Sequence, residues 1–271
     1  MTLQELETLT KIITNSTNIA FFIIIGVVTI LSYLNAKRTL FTPIKTEVFK
    51  MQIKDFEEVL KFFKNKTEHD FMELFDYNNI FRINTIQLID KYIIAFFPNE
   101  IKLPQDRRKD LRKDIAGTWI TQEYAEKYIV RPEDLRKGNE EKKKDNVTNP
   151  ALILNQWLNE IHGALDFTKR YKESIEVLDA FISSPLLPEE LKTLISNFKE
   201  KATKNLFLMN DVLSKVSKEL PGKFPTADSI KEVELAAFWN AYNKEMDEFT
   251  VDAIKILNFV KRYLKIEELI K

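Results

Sequence analysis

The sequence contains no cysteine and little glycine. The absence of cysteine among 271 residues excludes disulfides and thiolate chemistry, and it is typical of a reducing compartment. Phosphate-binding loops need clustered glycines, and no two glycines here lie closer than 21 residues, which excludes a P-loop or a dinucleotide fingerprint. So few glycines also leave little material for hairpin turns, so strands are not expected. The five glycines are Gly26, Gly117, Gly138, Gly163 and Gly222.

Net charge is also lacking. The 41 basic residues balance the 41 acidic ones, so no global field attracts nucleic acid, and nucleic acid is not an expected partner. Charged residues make up 30% of the chain and apolar residues 44%, enough to build a hydrophobic core. The composition therefore predicts a globular protein in which any electrostatic targeting is local.

One long apolar run stands near the N-terminus, "IAFFIIIGVVTILSYL", residues 19–34. No charged residue occurs between Lys11 and Lys37. A helix over those uncharged residues would be about 37 Å long, against a hydrocarbon core of about 30 Å. The run therefore predicts a transmembrane helix.

Two alternatives to a retained anchor are a cleaved signal peptide and a buried helix of a soluble domain. A signal peptide needs a basic leader, whereas Glu5 and Glu7 outnumber Lys11 here. Ala36 follows the bulky Leu34 by two positions, which is a poor cleavage context. The flanks and the length of the run favour a retained anchor.

Basic residues follow the run closely and predict its orientation. Only one basic residue precedes the run. The positive-inside rule therefore places the C-terminal side in the cytoplasm and the N-terminus outside. The predicted location is the inner (plasma) membrane of the cell. The basic residues could also contact anionic lipid headgroups, although a topology signal on a solvated helix face explains them as well. They are Lys37, Arg38, Lys45, Lys50 and Lys54.

The whole chain reads as all-α. The predicted organisation is an N-terminal segment and anchor at 1–36, a helical juxtamembrane subdomain at 37–130, a charged linker or loop at 131–149 and an elongated antiparallel three-helix bundle at 150–271. In the subdomain, one helix is expected to begin after Thr42, at Pro43, and to run to about residue 65.

Further helices of the subdomain are expected from Thr67, with Asp70 as a partial capping box, up to Pro98, and then to about Ile115. The segment "YIIAFF" before Pro98 could alternatively form a short buried strand.

The bundle is predicted to contain helices over 150–183, 189–219 and 227–269, separated by proline-containing connectors. Apolar residues of the middle helix recur at about 3.5-residue spacing, which is typical of a coiled-coil seam. The seam positions are Leu191, Ile195, Phe198, Ala202, Asn205, Met209, Val212, Val216 and Leu220.

Residues with catalytic or metal-binding chemistry are sparse. His69 and Glu73 would share a helix face, which makes two ligands but not a site, and His162 has no ligand partner at helical spacing, so neither a metal nor a cofactor is expected. The segment "DRRKDLRKD" at 106–114 is a candidate phosphate contact, although its acids sit at spacings that would neutralise it. Its arginines are Arg107, Arg108 and Arg112.

These features favour a non-enzymatic role. We expect a single-pass membrane-anchored adaptor, sensor or scaffold that associates with protein partners or with itself. The alternative is a membrane-tethered effector or enzyme acting on membrane or nucleic acid, because a fold does not exclude an activity.

Overall fold

A computed structural model describes residues 3–129 and 149–265 of the chain. Within these ranges the protein is largely helical, as predicted. The chain divides into two compact units, residues 1–58 and residues 59–271. The predicted linker at 131–149 lies outside the described residues except for Asn149.

The described elements follow one another along the chain. Before the undescribed stretch they are α1 (Leu3–Phe63), α2 (Glu68–Leu74), α3 (Tyr77–Phe96), α4 (Gln105–Arg112), β1 (Ile115–Ile120) and α5 (Gln122–Tyr128). After it they are α6 (Pro150–Leu158), β2 (Ala164–Thr168), α7 (Lys169–Ser183), α8 (Glu189–Lys223), α9 (Ala227–Lys231), α10 (Leu235–Glu245) and α11 (Thr250–Tyr263).

Helix α1 is continuous through Pro43, so the prediction of a new helix starting there is wrong. Proline has no N–H, so the carbonyl of Thr39 loses its usual helical donor. The flanking residues nevertheless keep helical geometry, and the Thr39 hydroxyl donates to the carbonyl of Asn35 at 2.8 Å.

The first unit consists of the α1 residues up to Glu58. Every described side chain from Phe21 to Lys37 is exposed, and the large apolar ones between Phe21 and Leu34 are 45–70% exposed. Among the residues whose side chains are described, no helix combines the length and the apolarity needed to cross a membrane.

Helix α8 forms the centre of the second unit. Helices α3, α7, α10 and α11 all pack against it. All nine predicted seam positions, from Leu191 to Leu220, are buried, so they form the packed face of this helix. A regular apolar spacing located the buried face because several other helices pack against this one along its length.

Buried polar side chains attach other elements to the backbone of α8. Tyr77 on α3 donates its hydroxyl to the carbonyl of Ala202 at 2.7 Å. The indole N–H of Trp157 donates to the carbonyl of Ser217 at 2.7 Å. These bonds satisfy polar groups that would otherwise be buried without a partner.

The outer two predicted helices of the bundle are interrupted, so those predictions are wrong. The segment predicted as one helix over 150–183 contains α6, β2 and α7, and that predicted over 227–269 contains α9, α10 and α11. Strand β2 pairs antiparallel with β1, with Thr118 opposite Asp166.

The scarce glycines help to explain the unexpected strands. A Cβ at Gly117 would lie 2.7 Å from the tip of the Phe167 ring, so glycine leaves room for that ring to lie across the strand pair. Gly163, just before β2, accepts a hydrogen bond from the amide of Thr121 at 2.7 Å. Gly117 and Gly163 are therefore far apart in sequence but contribute to the same small sheet.

Two segments between residues 67 and 97 bear on the local predictions for the subdomain. Thr67 caps α2 and forms a capping box with Asp70, as expected. The segment "YIIAFF" is the end of α3, so its interpretation as a strand is wrong.

Candidate functional site

A polar cleft of about 290 Å³ lies between α3, α4 and β2. Helix α3 contributes residues at positions i, i+3, i+4 and i+7, which form one face of a helix. These are Gln87, Asp90, Lys91 and Ile94; Leu111 and Arg112 of α4 and Asp166 of β2 complete the lining. Leu111 packs with Ile83 and Ile86, so the end of α4 is held on α3.

Asp166 is fixed in place by four hydrogen bonds with three side chains. Gln87 Nε2 donates to its carboxylate at 2.7 Å, and the hydroxyl of Thr118 donates to the other carboxylate oxygen. The carboxamide of Asn84 accepts from the Asp166 amide and donates to the Asp166 carbonyl, both at 2.8 Å. The wall of the cleft is therefore preorganised.

The charges of the cleft differ in their exposure. Asp90 is buried, with 8% of its surface exposed, whereas Lys91 and Arg112 are exposed. Neither Lys91 nor Arg112 forms an ion pair within the described part of the chain. The lining thus holds two exposed cations beside the carboxylates of Asp90 and Asp166, and the cations suit an anionic group of a small ligand.

His162 lies beside this cleft. It lines a second, water-sized cavity of about 30 Å³ together with Asn84, Gln87 and Lys91. Its Nε2 is buried without a hydrogen-bond partner in the described structure. Burial first, and then the charges of Lys91 and Lys218, lower the pKa of His162 from 6.5 to about 4.

The predicted phosphate contacts lie on α4. Arg112 lines the cleft, whereas the side chains of Arg107 and Arg108 are outside the described part. The predicted neutralisation of this segment is present in one pair, because Lys113 Nζ lies 2.7 Å from an Asp110 carboxylate oxygen. Arg112 takes no part in that pair, so its charge remains available to the cleft.

The predicted lipid contacts lie on α1. Lys37, Lys45, Lys50 and Lys54 are exposed, and the side chain of Arg38 is outside the described part. Lys50 pairs with Glu47 at 2.8 Å on the exposed surface of the helix. A salt bridge this exposed contributes little to stability and breaks readily when another anion competes.

His69, which was predicted to share a helix face with Glu73, lies on the surface. Its Nε2 lies 3.3 Å from Glu73, as expected for one helix face. Across the described residues, no three histidine, aspartate or glutamate side chains are grouped closely enough to hold a metal ion.

Comparison with known proteins identifies no relative. No family model, no curated protein sequence and no solved structure matches the chain.

Sequence reasoning missed Asn84, Gln87 and Asp166 as parts of a site. The neighbours of Asn84 include the polar residues Arg82, Thr85 and Gln87, so no local pattern marks Asn84 as a buried polar contact. Nothing in the sequence identifies Asp166 as its partner, because the two are 82 residues apart.

Proposed function

We propose that this protein is a single-pass membrane protein whose helical second unit acts as an adaptor or scaffold through protein–protein contacts. One observation carries the proposal: the apolar side chains of α1 between Phe21 and Leu34 are exposed on every side of the helix. Soluble proteins rarely expose a continuous apolar surface of this extent, so a nonpolar environment has to cover it.

Lipid is the environment that covers all faces of a helix at once. The apolar run begins at Ile19, two residues before the described side chains start. Its eleven strong hydrophobes contribute about −3 to −7 kcal/mol towards insertion, before the cost of the few polar residues.

The polar residues within the run carry only a small cost. The Thr29 hydroxyl donates to the carbonyl of Ile25 at 2.8 Å, so its hydrogen is satisfied within the helix. A hydroxyl paired in this way can enter the hydrocarbon region. The lysines that follow the run, from Lys37 to Lys54, support a cytoplasmic C-terminal side at the inner membrane.

The adaptor role is supported by apolar side chains on the surface of the second unit. Such residues mark an interaction surface when they are contiguous, and Val251 and Ile254 lie three residues apart on one face of α11. Large apolar residues more than a third exposed include Ile94, Trp119, Leu152, Leu158, Val251 and Ile254. Anchoring at a membrane also raises local concentration, so modest contacts suffice for assembly.

Fractionation of a charge-inserted variant tests the anchor. Ile24→Lys combined with Val28→Lys places two cations in the middle of the run at a combined cost of about 5 to 7 kcal/mol, enough to cancel insertion. The wild type should stay in the membrane pellet after carbonate washing, and this variant should move to the supernatant.

The matched control is Ile44→Lys combined with Val48→Lys, which has the same spacing and charge on the same helix beyond the run. It should remain in the pellet. A wild-type protein that leaves the pellet without detergent would overturn the anchor.

A second candidate function is a membrane-tethered effector that acts on a phosphate-bearing substrate. The exposed cations Lys91 and Arg112 in the lining of the cleft favour it. Alanine replacement of Arg107, Arg108 and Arg112 tests it. Loss of inorganic phosphate binding with an unchanged melting curve would support this candidate, and unchanged phosphate binding would refute it.

A further inference from the structure

The cleft between α3, α4 and β2 holds charges of both signs that do not pair with one another. The carboxylate of Asp166 accepts hydrogen bonds from Gln87 and Thr118, which are both neutral donors. Within residues 3–129 and 149–265, neither Asp166 nor the cations Lys91 and Arg112 form an ion pair. One carboxylate and two cations therefore line the same cavity of about 290 Å³ without neutralising each other.

The fold sets the positions of these charges. Two hydrogen bonds with Asn84, both 2.8 Å long, hold the backbone of Asp166 in β2. Arg112 follows Leu111, which is 8% exposed and packs on α3. Opposite charges attract more strongly in a partly buried cavity than in water, so a molecule that pairs with both signs at once gains at each end.

Asp90 does not change this balance. It lines the cleft, but it is 8% exposed and has an interaction of its own. Asp166, which is half-buried, therefore provides the carboxylate for a ligand. A phosphate group would attract the two cations but would also bring its own negative charge close to Asp166 and Asp90. A single negative group joined to an ammonium that pairs with Asp166 offsets that repulsion.

Two apolar side chains complete the lining. Ile94 is 52% exposed and lies three residues beyond Lys91, on the same face of α3, and Leu111 lines the cleft from α4. Small-molecule sites are mostly apolar and use a few polar groups to fix the orientation of the ligand. An aliphatic group on the ligand would cover Ile94 and Leu111 and remove apolar surface from water.

We propose that this cleft binds a small zwitterion with an aliphatic side chain, which is the chemistry of a free aliphatic α-amino acid such as leucine. Its ammonium pairs with Asp166, and its carboxylate pairs with Lys91 and Arg112. Its side chain packs on Ile94 and Leu111. A cavity of about 290 Å³ is at the lower end of ordinary small-molecule sites, which suits a single amino acid. The inference goes beyond the proposed function and does not depend on the anchor, because all of these residues lie in the second unit.

Isothermal titration calorimetry on the full chain, purified in detergent, tests the ligand class. L-leucine is the probe, and three relatives each lack one part of it: isocaproate lacks the ammonium, isoamylamine lacks the carboxylate and glycine lacks the side chain. Leucine should bind saturably, and each relative should bind about tenfold more weakly or worse, because one of the three contacts is lost. Inorganic phosphate, titrated in parallel, should bind more weakly than leucine.

Two variants test the two ends of the ligand separately. Arg112→Gln, at an exposed position, should reduce the preference for leucine over isoamylamine about tenfold, because the carboxylate loses its contact. Asp166→Asn should reduce the preference for leucine over isocaproate to a similar extent. The control Arg82→Gln removes an exposed cation of α3 that is outside the lining, and it should leave leucine binding unchanged.

The proposal is wrong if the wild type shows no saturable leucine binding, or if a relative that lacks one part of leucine binds as tightly as leucine. It is also wrong if Arg112→Gln binds leucine as the wild type does. Phosphate binding tighter than leucine binding would overturn it and would support the phosphate-bearing substrate of the second candidate function. Because the titration is carried out in detergent, none of these results depends on whether the chain stays in the membrane pellet.

Discussion

Asn84 and Asp166 exchange two hydrogen bonds, each 2.8 Å long, between a side-chain amide and a strand backbone. The carboxamide of Asn84 takes the place of a neighbouring strand on the free edge of β2. Strand edges need such cover, because unpaired backbone groups are costly when buried. One buried side chain of α3 thus fixes the sheet and the wall of the cleft together.

Replacing Asn84 with alanine should destabilise the second unit. The change removes both bonds to Asp166 and a third to the carbonyl of Ile80 at 2.8 Å. Leaving partly buried backbone groups unpaired costs about 1 to 3 kcal/mol. Urea denaturation measures the loss, and Asn78→Ala on the exposed face of the same helix is the control, with an expected change within about 0.5 kcal/mol. Equal effects of the two changes would contradict this role of Asn84.

Glu68 acts as a cap for a helix that is distant in sequence. Its carboxylate accepts hydrogen bonds from the amides of Phe249 and Thr250 at 2.8 to 3.1 Å, at the start of α11. Helix N-termini favour negative charge and side-chain acceptors.

We therefore expect Glu68→Ala to lower the free energy of unfolding by about 1 to 2 kcal/mol, in the range measured for helix caps. Glu73→Ala on the same short helix removes only an exposed pair with His69 and should cost about 0.3 to 0.5 kcal/mol. Thermal unfolding compares the two variants. A larger loss for Glu73→Ala would refute the cap.

Two glycines should respond to alanine with opposite signs. A Cβ at Gly163 would lie 2.8 Å from Tyr124 Cβ on α5, and this contact is relieved only if α5 shifts. Such overpacking costs about 1 to 3 kcal/mol. Gly222 lies near the end of α8 with open space around it, so Gly222→Ala should stabilise the helix by about 0.5 to 1 kcal/mol. A melting temperature of Gly163→Ala equal to or above that of the wild type would contradict the packing described around Gly163.

The lowered pKa of His162 predicts a loss of stability in mild acid. In the unfolded chain the pKa of this histidine returns to about 6.5, whereas in the folded chain it is about 4. Between these values the unfolded state binds the proton and the folded state does not. Stability is therefore full above pH 6.5 and falls as the pH drops towards 4.

Urea midpoints at pH 7 and pH 5 measure this effect. His162→Phe keeps an aromatic ring against Trp157, whose ring centroid is 4.9 Å from that of His162, but it cannot bind a proton. Its midpoint should change less between the two pH values than that of the wild type. His69→Phe, at an exposed position, should retain the wild-type difference, and a flattened response in that variant would assign the effect to the wrong histidine.

The sequence predicted best where one helix carries a regular apolar face. All nine seam positions of α8 are buried, because a long helix at the centre of the core repeats the same environment every turn. The capping box at Thr67 was predictable for a similar reason, since its hydrogen bonds join residues three apart.

The pairing of strands that are distant in sequence could not be predicted from the sequence. Strands β1 and β2 are separated by more than 40 residues and form through Gly117 and Phe167, whose contact leaves no local pattern. The cleft could not be predicted for the same reason, because only the tertiary fold brings Asp166 next to Asn84 and Gln87. The helical stretches before and after β2 were therefore joined into one predicted helix.

The central claim is that lipid surrounds the apolar run of α1. Single cysteines at Ile24, Val28 and Met51 in this cysteine-free chain can be tested with a membrane-impermeant maleimide on sealed inside-out vesicles. We predict that Met51→Cys reacts at once, and that Ile24→Cys and Val28→Cys react only after detergent is added. Prompt labelling of Ile24→Cys and Val28→Cys in intact vesicles would show that water reaches the run, and would contradict the anchor.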